Sequence, residues 1–177
     1  VRRRIVLPAV IALGSNLGDR EKNLRSAVRD IAAIDGVTVT AASGIVQSHA
    51  VKPTGTDAPA PDYLNAVILV RSALHPEQLL VELNRIEAEH GRVRAERWGD
   101  RTLDLDIISF ADLERHSETL TLPHPRAFER AFVVAPWLQV QPDAEIAGHG
   151  RIAALAAARS TEVWDFAAAP LLDEAAR

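Results

Sequence analysis

Cysteine is absent from the 177 residues of this chain, and its absence removes disulfides, thiolate metal sites and cysteine nucleophiles together. Any metal must therefore be held by oxygen or histidine. No run of about 18 uncharged apolar residues exists to cross a bilayer, and the stretch after Arg2-Arg3-Arg4 is too short for a secretory signal. The expected setting is the cytoplasm. Lysine occurs only at Lys22 and Lys52, aromatics make up 5% of the chain, and the formal net charge is -4. That balance disfavours a general nucleic-acid binder, which needs a basic face for phosphates. The sequence also lacks a Gly-x-x-x-x-Gly-Lys-Ser/Thr loop, a dinucleotide fingerprint, a serine-hydrolase elbow and a His-Glu-x-x-His zinc pattern. A phosphate grip would have to come from side chains.

What is present suits one compact domain over residues 1–177: a mass of 19.2 kDa with 47% hydrophobic residues. Val10 to Leu13 reads as a buried strand, and Gly14 to Gly18 as a turn into a helix beginning near Asp19. Leu24, Ala27, Val28 and Ile31 repeat at helical spacing before Gly36. Val37 to Ser48 predicts one strand, Lys52 to Pro61 a surface loop, and Tyr63 to Val70 a second strong strand. Pro76 opens a helix running to His90 with Leu79, Leu83 and Ile86 inward. A polar loop, Gly91 to Thr102, leads into a strand from Leu103 to Phe110. The order βαββαβ predicts an α+β, ferredoxin-like antiparallel sheet with helices on one side. C-terminal additions follow: a short strand at Leu120 to Leu122, a helix from Phe128 to Val140 kinked by Pro136, a short helix from Ile152 to Ala158, and a disordered tail after Ala167.

The chemistry concentrates near the last of those strands. Asp104 and Asp106 are two apart, so the strand period places both carboxylates on one face, with Leu103, Leu105 and Ile107 turned to the core. A hard divalent cation relieves their repulsion and could serve phosphoryl transfer; taken alone, the pair is also an ordinary solvated strand face. Beside it lie Arg92, Arg94, Arg97 and Arg101, whose planar, permanently charged forks suit phosphate oxygens. Metal-binding carboxylates next to phosphate-binding arginines form a more specific signal than either group.

The stretches Gly91-Arg-Val-Arg94, Glu96-Arg97-Trp98-Gly99 and Arg101-Thr-Leu-Asp-Leu-Asp-Ile107 resemble the signature of the 6-hydroxymethyl-7,8-dihydropterin pyrophosphokinases of folate synthesis. Supporting similarity runs through Ile11 to Gly18, Tyr63 to Ala66, Arg85 to Glu87, Pro123-His124 and Arg130 with Phe132. The resemblance implies transfer of diphosphate from ATP to the pterin hydroxymethyl group, with AMP leaving. It further implies that Asp104 and Asp106 bind two Mg2+ ions, that Arg97, Arg101, His124, Arg130, Asn84 and Ile107 serve ATP, and that Arg92 and Arg94 take part in the reaction from a mobile loop. Asn65 would meet the pterin amide edge, with Tyr63, Phe132 and Trp98 enclosing the ring and Ser48 also on the pterin side. Read without the resemblance, Tyr63 and Phe132 are core residues and His124 part of a rigid turn between prolines.

The sequence departs from the family pattern where Val46, Ser48, Ala50 and Lys52 stand in place of a Tyr-x-Thr-x-Pro-x-Gly loop, and where Pro125 follows His124. The expected enzyme is a monomer acting on ATP and the pterin, with no nucleic-acid or membrane partner. Two alternatives remain: a ferredoxin-like nucleic-acid or protein-interaction module, and an ordinary kinase that makes ADP.

Overall fold

The computed structural model describes residues 4–50, 61–91 and 102–172. Most of the expected Lys52 to Pro61 and Gly91 to Thr102 loops lies outside the described residues. The first strand, β1 (Leu7–Ser15), is central in the sheet and buried along both faces, which explains its nearly unbroken apolar sequence. Helix α1 (Arg20–Ala32) follows, and the Asp19 side chain caps it by accepting the Lys22 N–H at 3.1 Å. Asp19→Ala removes that acceptor and is expected to cost about 1 kcal/mol of stability. Denaturant titration reads this directly, and an unchanged midpoint would mean that water replaces the cap without loss.

Gly36, at a φ of +83°, ends the α1 connection in a conformation that L side chains resist, and the chain re-enters the sheet as β2 (Val37–Ala42). The single strand expected from Val37 to Ser48 is interrupted, because Ser43 replaces a ladder group with its own side chain. Its N–H donates to the Val67 carbonyl while its Oγ accepts the Val67 N–H, both at 2.9 Å. Beyond the interruption, β3 (Val46–Ser48) continues along the same edge of β4 (Tyr63–Ser72).

Pro76 begins α2 (Pro76–Glu89), where the Gln78 side chain accepts the His75 N–H at 3.0 Å, and β5 (Asp104–Phe110) completes the main sheet. Two short ribbons follow as β6 (Arg115–His116) with β7 (Thr121–Leu122), and, after α3 (Ala131–Val140), β8 (Glu145–Ile146) with β9 (Gly150–Arg151). The last strand, β10 (Val163–Asp165), joins the sheet at β3. Across the sheet the order is β10, β3, β4, β1, β5, with β2 also paired to β4 and every pairing antiparallel. The placement of β4 between β2/β3 and β1 is the split βαβ connectivity expected from the element order.

The two helices of the βαββαβ core lie on one side of the sheet as expected, and a C-terminal addition covers the other. Leu24, Val28 and Ile31 of α1 and Leu79, Leu83 and Ile86 of α2 pack on one face, against Ile11, Leu13, Ile68, Leu105 and Ile107. The opposite face is also covered by helix: Val133, Val134 and Trp137 of α3 pack on Val10, Ala12, Val67 and Ile108. Helices therefore occupy both faces. The register of β1 against β5 shifts between Val10 and Ile11, so that Ile108 and Phe110, two residues apart, serve opposite layers.

The C-terminal part differs from its sequence reading in three places. The helix expected from Phe128 begins as a tight turn at Ala127–Glu129 and restarts as α3 after Arg130, whereas Pro136 lies within the continuing helix. Residue 136 brings no N–H to the Phe132 carbonyl, yet the strongly apolar face of α3 holds it in place by burial. Ile152 to Ala158 forms two short 3₁₀ turns instead of a helix. The described part of the expected disordered tail is tied down, with Arg25 donating to the Ala169 and Pro170 carbonyls at 2.6 and 2.9 Å and Leu171 packed on the core.

Candidate active site

A cavity of about 880 Å³ opens on the α3 side of the sheet, where α3 leaves the ends of β4, β1 and β5 uncovered. Strand periodicity supplies its floor. Tyr63, Asn65 and Val67 share one face of β4, Ala12 and Gly14 the same face of β1, and Asp104 and Asp106 that of β5. Pairing aligns them in rows: Asn65 opposite Gly14 and Gly14 opposite Asp104, then Val67 opposite Ala12 and Ala12 opposite Asp106. Asn65 and Asp104 are thus two strand spacings apart, about 10 Å, with a residue lacking a side chain between them.

Gly14 favours a close approach there. A Cβ built on it would stand 3.2 Å from Asn65 Oδ1, so the amide would have to give by a few tenths of an ångström, while Tyr63 Cδ1 at 3.6 Å would be in ordinary contact. Asn65 is almost fully buried, and its Nδ2 donates to Ser48 Oγ at 2.9 Å. That bond fixes the amide orientation and directs Oδ1 toward the Gly14 floor.

Arg126, Glu129, Arg130 and the first residues of α3 form the opposite wall. Arg126 Nε donates to Glu129 Oε1 at 2.7 Å, while the Arg130 guanidinium carbon lies 5.7 Å from the centre of the Phe132 ring. The N-terminal end of α3 adds a positive helix pole to the same wall. His124 is anchored by its N–H to the Ile108 carbonyl at 2.8 Å, and its Nδ1 accepts the Arg126 N–H at 3.2 Å. With Nδ1 acting as an acceptor, the proton of the neutral ring is assigned to Nε2.

Burial, aided by the Arg130 and Arg126 charges and opposed by Asp104, pushes the His124 pKa down to about 4 from its ordinary 6.5. Because the folded value lies below the unfolded one, the unfolded chain binds the extra proton between these limits. The stability from keeping the ring neutral is complete above about pH 6.5 and is lost as pH falls toward 4. An NMR titration of the metal-free protein should therefore give His124 a midpoint well below that of an exposed histidine. An ordinary midpoint near 6.5 would overturn the assignment.

Of the residues expected from sequence, the cavity gathers Ser48, Tyr63, Asn65, Asp104, Asp106, His124, Arg130 and Phe132. Tyr63 and Phe132, which patterning alone assigns to the core, are half-buried cavity residues. Ile107 turns its side chain into the opposite layer, so any role for it at the cavity falls to its backbone. Asn84 on α2 is not among the cavity-lining residues. Arg92, Arg94, Arg97, Trp98 and Arg101 lie outside the described residues. The cavity also includes Gly14, His49, Arg126, Glu129, Glu162 and Val163, which sequence reasoning missed as site residues. Arg126 was within reach of a local argument, being two residues after His124, whereas Glu162 and Val163 arrive only through the long-range pairing of β10 with β3.

The donor set fits a magnesium ion. Mg2+ is commonly held by one or two carboxylates, its other positions going to water and substrate phosphates, and Asp104 and Asp106 supply two carboxylates beside a phosphate-sized space. Among the described residues no group of three or more His, Cys, Asp or Glu side chains forms a fuller metal cage.

Paired carboxylates, a basic wall and a fixed amide on one sheet face give this α+β domain the character of an enzyme for small molecules. The family model described as 7,8-dihydro-6-hydroxymethylpterin-pyrophosphokinase (HPPK) matches residues 10–142, and the chain belongs to this family. Relatives named 2-amino-4-hydroxy-6-hydroxymethyldihydropteridine pyrophosphokinase include one from Bacillus subtilis, 44% identical over 132 residues, covering 75% of this chain and 77% of the relative. That of Haemophilus influenzae is 41% identical over 138 residues (78% and 84% covered), and that of Synechocystis 40% identical over 135 residues (76% and 67%). Among solved structures, a Plasmodium falciparum HPPK-DHPS with pterin and p-hydroxybenzoate superposes with a TM-score of 0.63 at 11% identity, covering 86% of this chain and 43% of that one. An HPPK-DHPS described as in complex with substrates gives 0.61 at 12% identity, covering 84% and 42%. At these identities the likeness concerns the fold, and this chain spans less than half the length of those two.

Proposed function

We propose that this chain transfers the diphosphate of ATP to 6-hydroxymethyl-7,8-dihydropterin in a Mg2+-dependent reaction that releases AMP, a step of folate synthesis. The observation that carries the reading is the row Asn65, Gly14, Asp104 across the cavity floor. A buried amide at one end suits the hydrogen-bonding edge of a pterin. The bare Gly14 backbone suits a flat ring, and the carboxylate at the far end suits the cation of a polyphosphate.

In this reading Asn65, oriented by Ser48, recognises the amide edge while Tyr63 and Phe132 hold the ring faces, with Trp98 completing the enclosure. The hydroxymethyl group then points toward Asp104 and Asp106, which bind the two Mg2+ ions. When bound, magnesium supplies charge neutralisation and alignment for in-line displacement at the β-phosphorus. Arg130 and neutral His124, donating through Nε2, contact the nucleotide phosphates from the opposite wall. Arg97 and Arg101 add phosphate contacts, Arg92 and Arg94 act on the transferring group, and Asn84 and the Ile107 backbone serve the nucleotide. Spreading the charge over such donors is the main catalytic contribution open to side chains in this chemistry.

The same reading makes residues 1–177 one domain and the protein a cytoplasmic monomer of small-molecule metabolism. No helix among the described residues is long and apolar enough to cross a membrane, and the net charge of -4 gives no support to the nucleic-acid-binding alternative. The test is to incubate purified protein with ATP, Mg2+ and 6-hydroxymethyl-7,8-dihydropterin, with and without EDTA, and to separate the nucleotides. AMP formed one-for-one with pterin diphosphate, and dependent on both metal and pterin, is expected. ADP as product would replace the reading with that of an ordinary kinase.

A further inference from the structure

The family match ends at residue 142, yet one wall of the cavity comes from well beyond it. Strand β10 pairs antiparallel with β3, placing Val163 opposite Ser48, and Val163 lines the cavity. Directly opposed residues in such a pair share a face, with Cβ atoms about 5 Å apart. Val163 therefore stands beside the hydroxyl that orients Asn65, at the end of the cavity where Tyr63 also lies opposite Ser48.

This wall is anchored on both sides of Val163. Trp164 packs its ring on His49 with centroids 4.7 Å apart, and the Phe166 N–H donates to the Ile45 carbonyl at 3.0 Å. Phe166 and Leu171 reach the core on the α1–α2 side, and Arg25 of α1 holds the following carbonyls. An edge strand fixed at so many points can define a shape, and a branched, stiff valine presents a single surface to the cavity.

We infer that Val163 is a specificity-determining residue that sets the width of the pterin end of the cavity, so that the C-terminal strand takes part in choosing the ring the enzyme accepts. The inference rests on the proposed function, since it assigns the pterin to the Asn65–Ser48 end. Val163 is apolar and meets the edge of a flat ring without a polar contact. Enlarging it narrows the slot, while a side chain of the same shape leaves the slot unchanged. The nucleotide, bound toward Asp104, His124 and Arg130, is beyond its reach.

The test compares Val163→Phe, Val163→Leu and Val163→Thr with the unaltered protein. Calorimetry measures binding of 6-hydroxymethyl-7,8-dihydropterin and, separately, of a non-hydrolysable ATP analogue with Mg2+. Pterin affinity is expected to fall more than about tenfold for phenylalanine, less for leucine and under twofold for threonine, on the scale of one or two misplaced methylenes in a pocket. Analogue affinity should stay within twofold throughout. Unchanged pterin binding by the phenylalanine or the leucine variant would overturn the inference alone, as would equal loss of pterin and analogue binding, which marks a general disturbance of the sheet edge. If phenylalanine prevents folding, the leucine and threonine variants decide by the same criteria. An unaltered protein that binds the analogue but no pterin would overturn the proposed function and this inference together.

Discussion

Asp104→Ala and Asp106→Ala are each expected to lower kcat by about 10³-fold or more, the scale on which loss of a charge-stabilising group acts in a water-poor site. Both carboxylates project from the cavity face of β5, while Leu105 and Ile107, between and beyond them, hold the strand in the core. Alanine at either position therefore removes a proposed metal ligand without opening the apolar layer beneath. One remaining carboxylate is a poor ligand set for the two proposed cations, so nucleotide binding in the variants should also lose much of its dependence on Mg2+. The measurements are AMP release under saturating substrates and analogue binding with and without EDTA. Near-normal turnover by either variant would remove these residues from the metal site.

Asn65→Ala is expected to reduce kcat/KM for the pterin by about 100-fold, equivalent to about 2.7 kcal/mol, with the KM for ATP nearly unchanged. The reason is geometric as well as chemical. Asn65 is 4% exposed and Ser48 6%, so deleting the amide removes both its hydrogen bond to Ser48 and its proposed contacts with the pterin, leaving polar groups in a place that water reaches poorly. Ser48→Ala keeps the amide and loses only its orientation, and should cost about tenfold, on the scale of one hydrogen bond. Steady-state kinetics with each substrate varied in turn separates these outcomes. If the KM for ATP rises as much as that for the pterin, Asn65 supports the cavity as a whole and does not read the ring.

Much of the main sheet was legible because its signals are local. The caps and stripes of α1 and α2 belong to single elements, and their buried residues are those the helical period selects. The Asp104 and Asp106 pair was legible for the same reason, since a period of two fixes a shared face wherever the strand ends up. The interruption at Ser43 was not, because its cause is a partner on another strand, Val67, whose N–H donates to the serine side chain in place of a main-chain carbonyl. Nor was the course of the chain after Val140, although the short strand near Leu122 and most of the helix ending at Val140 were. There the elements are short, and what holds them is contact with distant parts of the molecule: Ile45 for the end of β10 and Arg25 for residues 169 and 170.

The sequence by itself determined the family, the βαββαβ order, the carboxylate pair and eight of the residues that line the cavity, because each is written in spacing along one segment or in the order of segments. The tertiary structure decided that α3 covers the second face, that Gly14 is the bare floor between Asn65 and Asp104, that Ile107 faces away from the cavity, and that Val163 forms a wall beside Ser48. Those are relations between strands, set by register and pairing across the sheet, and no periodicity within a single segment can encode them.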